Sequence, residues 1–176
     1  MASTGDQMKA LCNLAKKMGA TDAKLIKSKD IVVRDWVRLK CQFGCDGYGR
    51  SLTCPPYTPT PEELRRLLRE YHYAVLLKFE GKGYGDSHKR IHNLMVKIER
   101  EAFLNGSYAA LALSSGPCPF CESCNLEKCE YPDLARPSME GCGIDVFATV
   151  KNAGFNIRVV KNRKEKPTYY SLLLVK

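Results

Sequence analysis

A single-domain, mixed α/β layered fold, with metal clusters held by two cysteine-rich loops, is the fold class this sequence predicts. Three observations point there. Segments with helical periodicity alternate with apolar runs of strand length, the pattern of layered α/β architecture. The 176 residues suffice for one core that buries most of the surface an unfolded chain exposes. Nine cysteines, an odd and high number, gather mainly in two stretches. In a reducing compartment such density reads as metal binding before disulfides.

Composition narrows the classes further. Hydrophobic residues at 44% and charged residues at 27% are ordinary for a globular protein. No run approaches the roughly 18 apolar residues that cross a bilayer, so no membrane association is expected. Met1 to Ala20 carries Asp6 and lysines among scattered apolar residues, unlike a secretory signal, and cytoplasm is the expected location. One domain over residues 1–176 is expected, with the helix of residues 1–20 at its periphery. The 28 Lys and Arg against 19 Asp and Glu give a formal +9, a balance that invites nucleic acid. Two [4Fe-4S] centres, each about −2 with four thiolates, would cut it to roughly +5, so nucleic acid is not the expected partner. The densest basic run, Lys161 to Lys166, reads as a solvated hairpin connection, with docking to an acidic partner as its alternative.

In chain order, Met8, Leu11, Leu14, Ala15 and Met18 recur at helical spacing and Gly19 follows as a stop, giving a helix over residues 4–18. Cys12 lies within it, off the spacing of the other thiols, and reads as a spare thiol. Ala23 to Ile26 is a short strand, and Ile31 to Leu39, with Trp36, is ambiguous. Cys41-x3-Cys45-x8-Cys54-Pro55-Pro56 then forms the first cysteine group. Gly44, Gly47 and Gly49 let its loop turn sharply, and the prolines lock its exit. Thr60-Pro61-Glu62-Glu63 starts a helix to about Tyr71, with Thr60 as N-cap. Tyr73 to Phe79 is an apolar strand. Gly81-Lys82-Gly83-Tyr84-Gly85 reads as a turn, with phosphate binding its alternative, before a helix from about Asp86 to Asn105. His88 and His92 on that helix, and His72 before the strand, read as surface histidines.

Tyr108 to Ser114 is a strand running into Cys118-x2-Cys121-x2-Cys124-x4-Cys129. Thiolates at x2 spacing can converge on one inorganic centre without backbone strain. The bacterial ferredoxin run is C-x2-C-x2-C-x3-C-P; here the last gap is one residue longer and the proline comes at Pro132. Consecutive x2 gaps favour iron–sulfur over the alternative, zinc in a four-cysteine site. Ser138 is the expected N-cap of a helix reaching Ala153, with Gly154 as stop. Asn156 to Val160 and Tyr169 to Val175 then form an apparent antiparallel pair. Both cysteine groups are expected in loops, the second just past the C-terminal end of a strand, where open α/β sheets commonly place ligands.

Taken together, several motifs are shared with a known family. They are Cys41-x3-Cys45, Tyr48-Gly49, Cys54-Pro55-Pro56, Gly116-Pro117-Cys118-x2-Cys121-x2-Cys124-x4-Cys129, Arg136-Pro137-Ser138-Met139-Glu140 and Gly143-Ile144-Asp145-Val146. From about residue 20 onward the chain resembles a prokaryotic family described only as predicted metal-binding proteins, a domain of unknown function common in anaerobes and methanogens. The resemblance implies metal binding through seven cysteines and no particular reaction. Those seven fit one centre held by Cys118, Cys121, Cys124 and Cys129 and one held by Cys41, Cys45 and Cys54, with one iron of the second open. A swapped arrangement, with Cys129 serving the first group, is its alternative. Cys142, at a position the family pattern does not fix, is the candidate to close the gap.

Three function classes follow. The first is a [4Fe-4S] protein, with one or two clusters, in electron transfer with a redox protein partner. The second is an enzyme working at an open iron, which as a Lewis acid takes a small-molecule substrate for sulfur transfer or hydration. Arg50, Tyr57, Arg136 and Glu140 are its candidate substrate contacts. The third is an interaction module stapled by zinc.

Overall fold

The computed structural model describes residues 4–81, 87–162 and 164–176. In chain order it has α1 (Thr4–Lys17), β1 (Asp22–Lys27), α2 (Asp35–Gly44), α3 (Pro61–Leu68), β2 (Tyr73–Glu80), α4 (His88–Leu104), β3 (Leu111–Leu113), α5 (Val146–Asn152) and β4 (Thr168–Val175). Short 3-10 turns lie at Ser28–Asp30 and Glu140–Cys142. The strands form one sheet in the order β1-β2-β4-β3, every pair antiparallel. Among the described residues no helix is long and apolar enough to cross a membrane.

Both faces of the sheet are covered, which is why β2 and β4 read as near-continuous apolar runs. Successive side chains point to opposite faces, and the burial follows that alternation. Val75, Leu77 and Phe79 of β2 with Leu173 and Val175 of β4 meet Met8, Leu11 and Ala15 of α1 and Ile91, Met95 and Ile98 of α4. Ala74, Leu76, Leu172 and Leu174 meet Leu64 and Leu68 of α3, Val150 of α5, and Met139, Cys142 and Ile144. The result is an α/β fold of three layers. Helix α3 starts as expected, with a full capping box. Thr60 Oγ1 accepts from Glu63 N at 3.2 Å, and Glu63 Oε2 accepts from Thr60 N at 2.7 Å.

Two expected elements are corrected, and one ambiguous stretch is resolved. The run 156–160 forms no strand with β4, because β2 and β3 already occupy both edges of β4. It lies instead as an irregular segment from which Phe155 and Ile157 pack on the α3–α5 side of the core. Ser138 caps no long helix. Its hydroxyl accepts from Gly141 N within the 3-10 turn, and Gly143 (φ +87°) breaks the chain before Asp145 caps α5 through Ala148 N at 2.9 Å. The ambiguous stretch near Trp36 is helical, as α2. The expected glycine turn at 82–85, the start of the following helix at Asp86, and Arg163 of the basic run lie outside the described residues.

Candidate metal centres

The first cysteine group begins on a helix, not in a loop, which corrects the expectation for Cys41. Val37 and Cys41 lie at i and i+4 on one face of α2, and that face turns inward, with Val37 buried. The helix is placed by the strand-like contact of residues 32–34 with 143–145. Arg34 N donates to Gly143 O at 2.9 Å, and Asp145 N donates to Val32 O at 2.8 Å. Helix α2 ends at Gly44, and Cys45 is extended at its C-cap. The loop then doubles back. Gly49 adopts φ +71° and donates to Pro55 O at 2.7 Å, a conformation that glycine takes without penalty.

That turn brings Cys45 and Cys54 to either side of Gly47. A β-carbon on Gly47 would lie 3.6 Å from Cys45 Sγ and 3.5 Å from Cys54 Sγ. The missing side chain leaves the space between two thiols open, and Cys41 lies within electrostatic reach of both. Arg38 straps the exit of the loop to α2, donating to the carbonyls of Pro56, Thr58 and Pro59 at 3.3, 3.2 and 2.8 Å. Burial, then the neighbouring thiols, hold Cys41 and Cys54 above the usual thiol range.

The second group sits on a loop whose ends are tied together. Ser114 N donates to Pro137 O at 2.8 Å, and Met139 N donates to Ser114 O at 3.0 Å. Arg136 fastens the returning limb. It forms a bidentate pair with Glu99 of α4, at 2.7 Å in the shorter contact, and both side chains are largely buried. Glu99 also accepts from Ala112 N of β3 at 2.6 Å. Between these anchors, Asn125 Oδ1 accepts from Glu127 N at 3.0 Å and Lys128 N at 3.4 Å, turning the chain from Cys124 toward Cys129. Cys118, Cys121, Cys124 and Cys129 lie in mutual electrostatic reach. They line one cavity of about 150 Å³ together with Cys54, Arg50 and Thr53.

His92 on α4 is not a surface residue, which corrects the second expectation, and His88 is half-buried. His92 is fully buried and meets Phe120 edge-on, with ring centroids 6.0 Å apart. Its Nδ1 donates to His88 O at 3.0 Å. His88 Nδ1 lies 3.2 Å from Ser115 O, and any side chain on Gly116 would collide with the His88 ring. The i, i+4 pair therefore supports the root of the cysteine loop from behind, and burial pushes the His92 pKa down.

The two groups meet through residues 51–54. Leu52 N donates to Cys124 Sγ at 3.5 Å. The Thr53 hydroxyl lies within reach of both Cys54 and Cys118, and that of Ser51 within reach of Cys54; the two hydroxyls hydrogen-bond each other at 3.0 Å. Sequence reasoning missed this bridge; Ser51 and Thr53 just before Cys54 were its available signal. Among the described residues no three His, Cys, Asp or Glu side chains are gathered tightly enough for a single metal ion. An all-sulfur donor set of this kind fits an iron–sulfur centre and also a four-thiolate zinc site.

Two cysteines lie elsewhere. Cys12 is buried among Met8, Leu11 and Ala15. Cys142 is buried on the other face, and burial pushes its thiol up to about 12. The 3-10 turn that carries it abuts the first group, since Thr58 Oγ1 donates to Gly141 O at 2.5 Å. Of the polar candidates, Arg136 is committed to Glu99, Arg50 lines the shared cavity, Tyr57 is half-exposed beyond Cys54, and Glu140 lies in electrostatic reach of Cys41.

A family profile described as "Predicted metal-binding protein (DUF2284)" matches residues 24–175. No curated protein and no solved structure matches the chain.

Proposed function

We propose that this chain, which belongs to the DUF2284 family of predicted metal-binding proteins, holds two adjacent [4Fe-4S] centres and works in electron transfer. Cys118, Cys121, Cys124 and Cys129 would hold one centre, and Cys41, Cys45 and Cys54 the other. The observation that carries this reading is the meeting of the two groups at residues 52 and 53, where Leu52 N donates to Cys124 Sγ at 3.5 Å and the Thr53 hydroxyl lies within reach of Cys54 and Cys118. Such centres supply one-electron chemistry, and hydrogen bonds to their sulfurs, net charge and solvent exposure set the potentials. The chain's own part is to orient the sulfurs and hold them close. Phe120 and Tyr131, with ring centroids 6.2 Å apart, stand beside the four-cysteine group, and the hydroxyls of Ser51 and Thr53 face Cys54.

Protein prepared anaerobically with ample iron should be brown, with broad absorbance near roughly 400 nm. It should contain iron and acid-labile sulfide at a ratio nearer two cubane centres than one. Zinc alone, without sulfide, would overturn the iron–sulfur reading in favour of a zinc-stapled interaction module.

A second reading, an enzyme using an open iron at the three-cysteine centre, draws on the position of Cys142. Its thiol is buried in the apolar core with Met139, Ile144 and Leu64, yet within electrostatic reach of Cys41, so whether it is a ligand sets whether the three-cysteine centre is open. Cys142→Ser decides between the readings. Unchanged iron content, with an added small thiol or cyanide perturbing one centre only, favours the open iron. Loss of a whole cluster makes Cys142 a ligand and leaves two closed centres suited to electron transfer.

A further inference from the structure

Helix α2 presents two unlike faces. Val37 and Cys41 turn inward, while Trp36, Leu39 and Phe43 stand out on the opposite side, 46%, 53% and 80% exposed. These three lie at i, i+3 and i+7, one continuous helical stripe. They line an open surface groove with Lys40, whose ammonium sits 5.1 Å from the centre of the Trp36 ring. The stripe ends where Cys45, the one exposed cysteine, caps the helix. Nothing in the fold needs these side chains outside, and clustered exposed apolar residues of this size on a monomer are often functional.

We infer that the Trp36–Leu39–Phe43 stripe is the docking surface for a small acidic electron-carrier protein that exchanges electrons with the centre of Cys41, Cys45 and Cys54. The inference rests on the redox reading above and adds the partner and its place. Area is the first argument. The three exposed side chains offer roughly 300–400 Å², about half of the roughly 800 Å² per partner of a stable complex. A permanent dimer needs more, whereas transient redox encounters occupy the small end of the range. Charge is the second. Asp35, on the flank of the stripe, is neutralised by Arg65 at 3.1 Å, which leaves Lys40 as the charge set into the apolar surface. Residues 34–50 carry Arg34, Arg38, Lys40 and Arg50 against Asp35 and Asp46, while 122–133 carry Glu122, Glu127, Glu130 and Asp133 against Lys128 alone. An acidic partner is drawn to the α2 side and repelled from the four-cysteine side.

Trp36 is the only tryptophan, so its fluorescence reports on this surface directly. The anaerobically prepared holoprotein would be titrated with a small, strongly acidic ferredoxin that lacks tryptophan. A saturable change in Trp36 emission is expected, weakening with salt. Leu39→Ser with Phe43→Ser should raise the dissociation constant about tenfold or more, and Lys40→Glu severalfold with a shallower salt dependence. Iron content and helical circular dichroism should stay as in the parent protein, since all three side chains face solvent. No saturable change, or unaltered affinity in the Leu39/Phe43 variant, overturns the proposal. So does a concentration-dependent dimer that the same variant abolishes, because a second copy then covers the stripe. Reduction by dithionite, followed in parallel, separates the two readings. A protein that dithionite reduces but whose Trp36 ignores the ferredoxin loses only the docking surface. One that dithionite cannot reduce loses the redox reading, and with it the identity of the partner.

Discussion

The two cysteine groups are built on opposite plans. The four-cysteine loop is closed at its base by Ser114, Pro137 and Met139, nailed to α4 by Arg136 and Glu99, and backed by the buried His92. The three-cysteine group hangs on a helix end and a Gly–Pro loop, strapped by Arg38 to main-chain carbonyls, with Cys45 exposed. The first is wired into the sheet and acid-rimmed; the second lies on a basic stretch and carries the one exposed thiol. A centre whose supports run through the core should act as a structural element, and one on a peripheral loop should come and go with less consequence.

The largest expected effect tests that difference directly. Cys121→Ser or Cys124→Ser should remove one centre and destabilise the whole domain, because a centre bound only by the folded state contributes its binding free energy to folding. Cys41→Ser, Cys45→Ser or Cys54→Ser should remove the other centre and leave the sheet's circular dichroism and main melting transition largely in place. Equal losses of melting temperature from the two sets would erase the distinction. Oxygen sharpens the same contrast: the three-cysteine centre, with Cys45 exposed and one iron lacking a thiolate in the proposed ligand set, should bleach first, and simultaneous loss of both would count against it.

Next in size is the Arg136–Glu99 pair. Arg136→Ala leaves a largely buried carboxylate without its cation, a change that costs about 3–5 kcal/mol. Chemical denaturation should show that loss, together with faster release of iron from the four-cysteine centre. The double change Arg136→Met with Glu99→Leu should recover much of it, since a buried ion pair replaced by apolar residues is often close to neutral. No recovery would mean that the bonds of Arg136 to the Pro132, Asp133 and Ala135 carbonyls, or that of Ala112 N to Glu99, outweigh the ion pair.

Much of this architecture was legible in the sequence. The Tyr73–Phe79 run and the Thr60 N-cap are local signals, and each has a direct structural counterpart. What was not legible depends on pairing at a distance. The 156–160 run alternates like a strand, yet whether it finds an edge depends on β3, fifty residues earlier in the chain at Leu111–Leu113. His88 and His92 carry polar side chains at helical spacing, and only the folded loop reveals that Gly116 and Phe120 cover them. Gly44, Gly47 and Gly49 suggest a loop for the whole first group, but the Val37–Cys41 spacing is the helical signal.

Smaller effects probe the bridge and its support. Thr53→Val deletes the hydroxyl within reach of Cys54 and Cys118 and should cost about 1 kcal/mol. Its sharper signature is a shift in the reduction potentials of both centres, where a shift in one alone would show that the hydroxyl matters to a single group. His92 gives the smallest effect. Burial depresses its folded-state pKa below its unfolded value of about 6.5, so the unfolded chain takes up the proton first. Stability is fully present above that unfolded value and is lost as pH falls from there through the depressed folded pKa. His92→Leu should flatten this part of the melting temperature–pH curve, and an unchanged slope would assign it to other groups.

Adjacency of the two centres is the central claim, and electron paramagnetic resonance of the fully reduced protein tests it most directly. Two paramagnets bridged by Leu52 and Thr53 should give a broadened, spin-coupled spectrum. Cys41→Ser should collapse that spectrum to the signal of one isolated centre. Two independent signals that simply add, or a parent spectrum identical to that of Cys41→Ser, would contradict it.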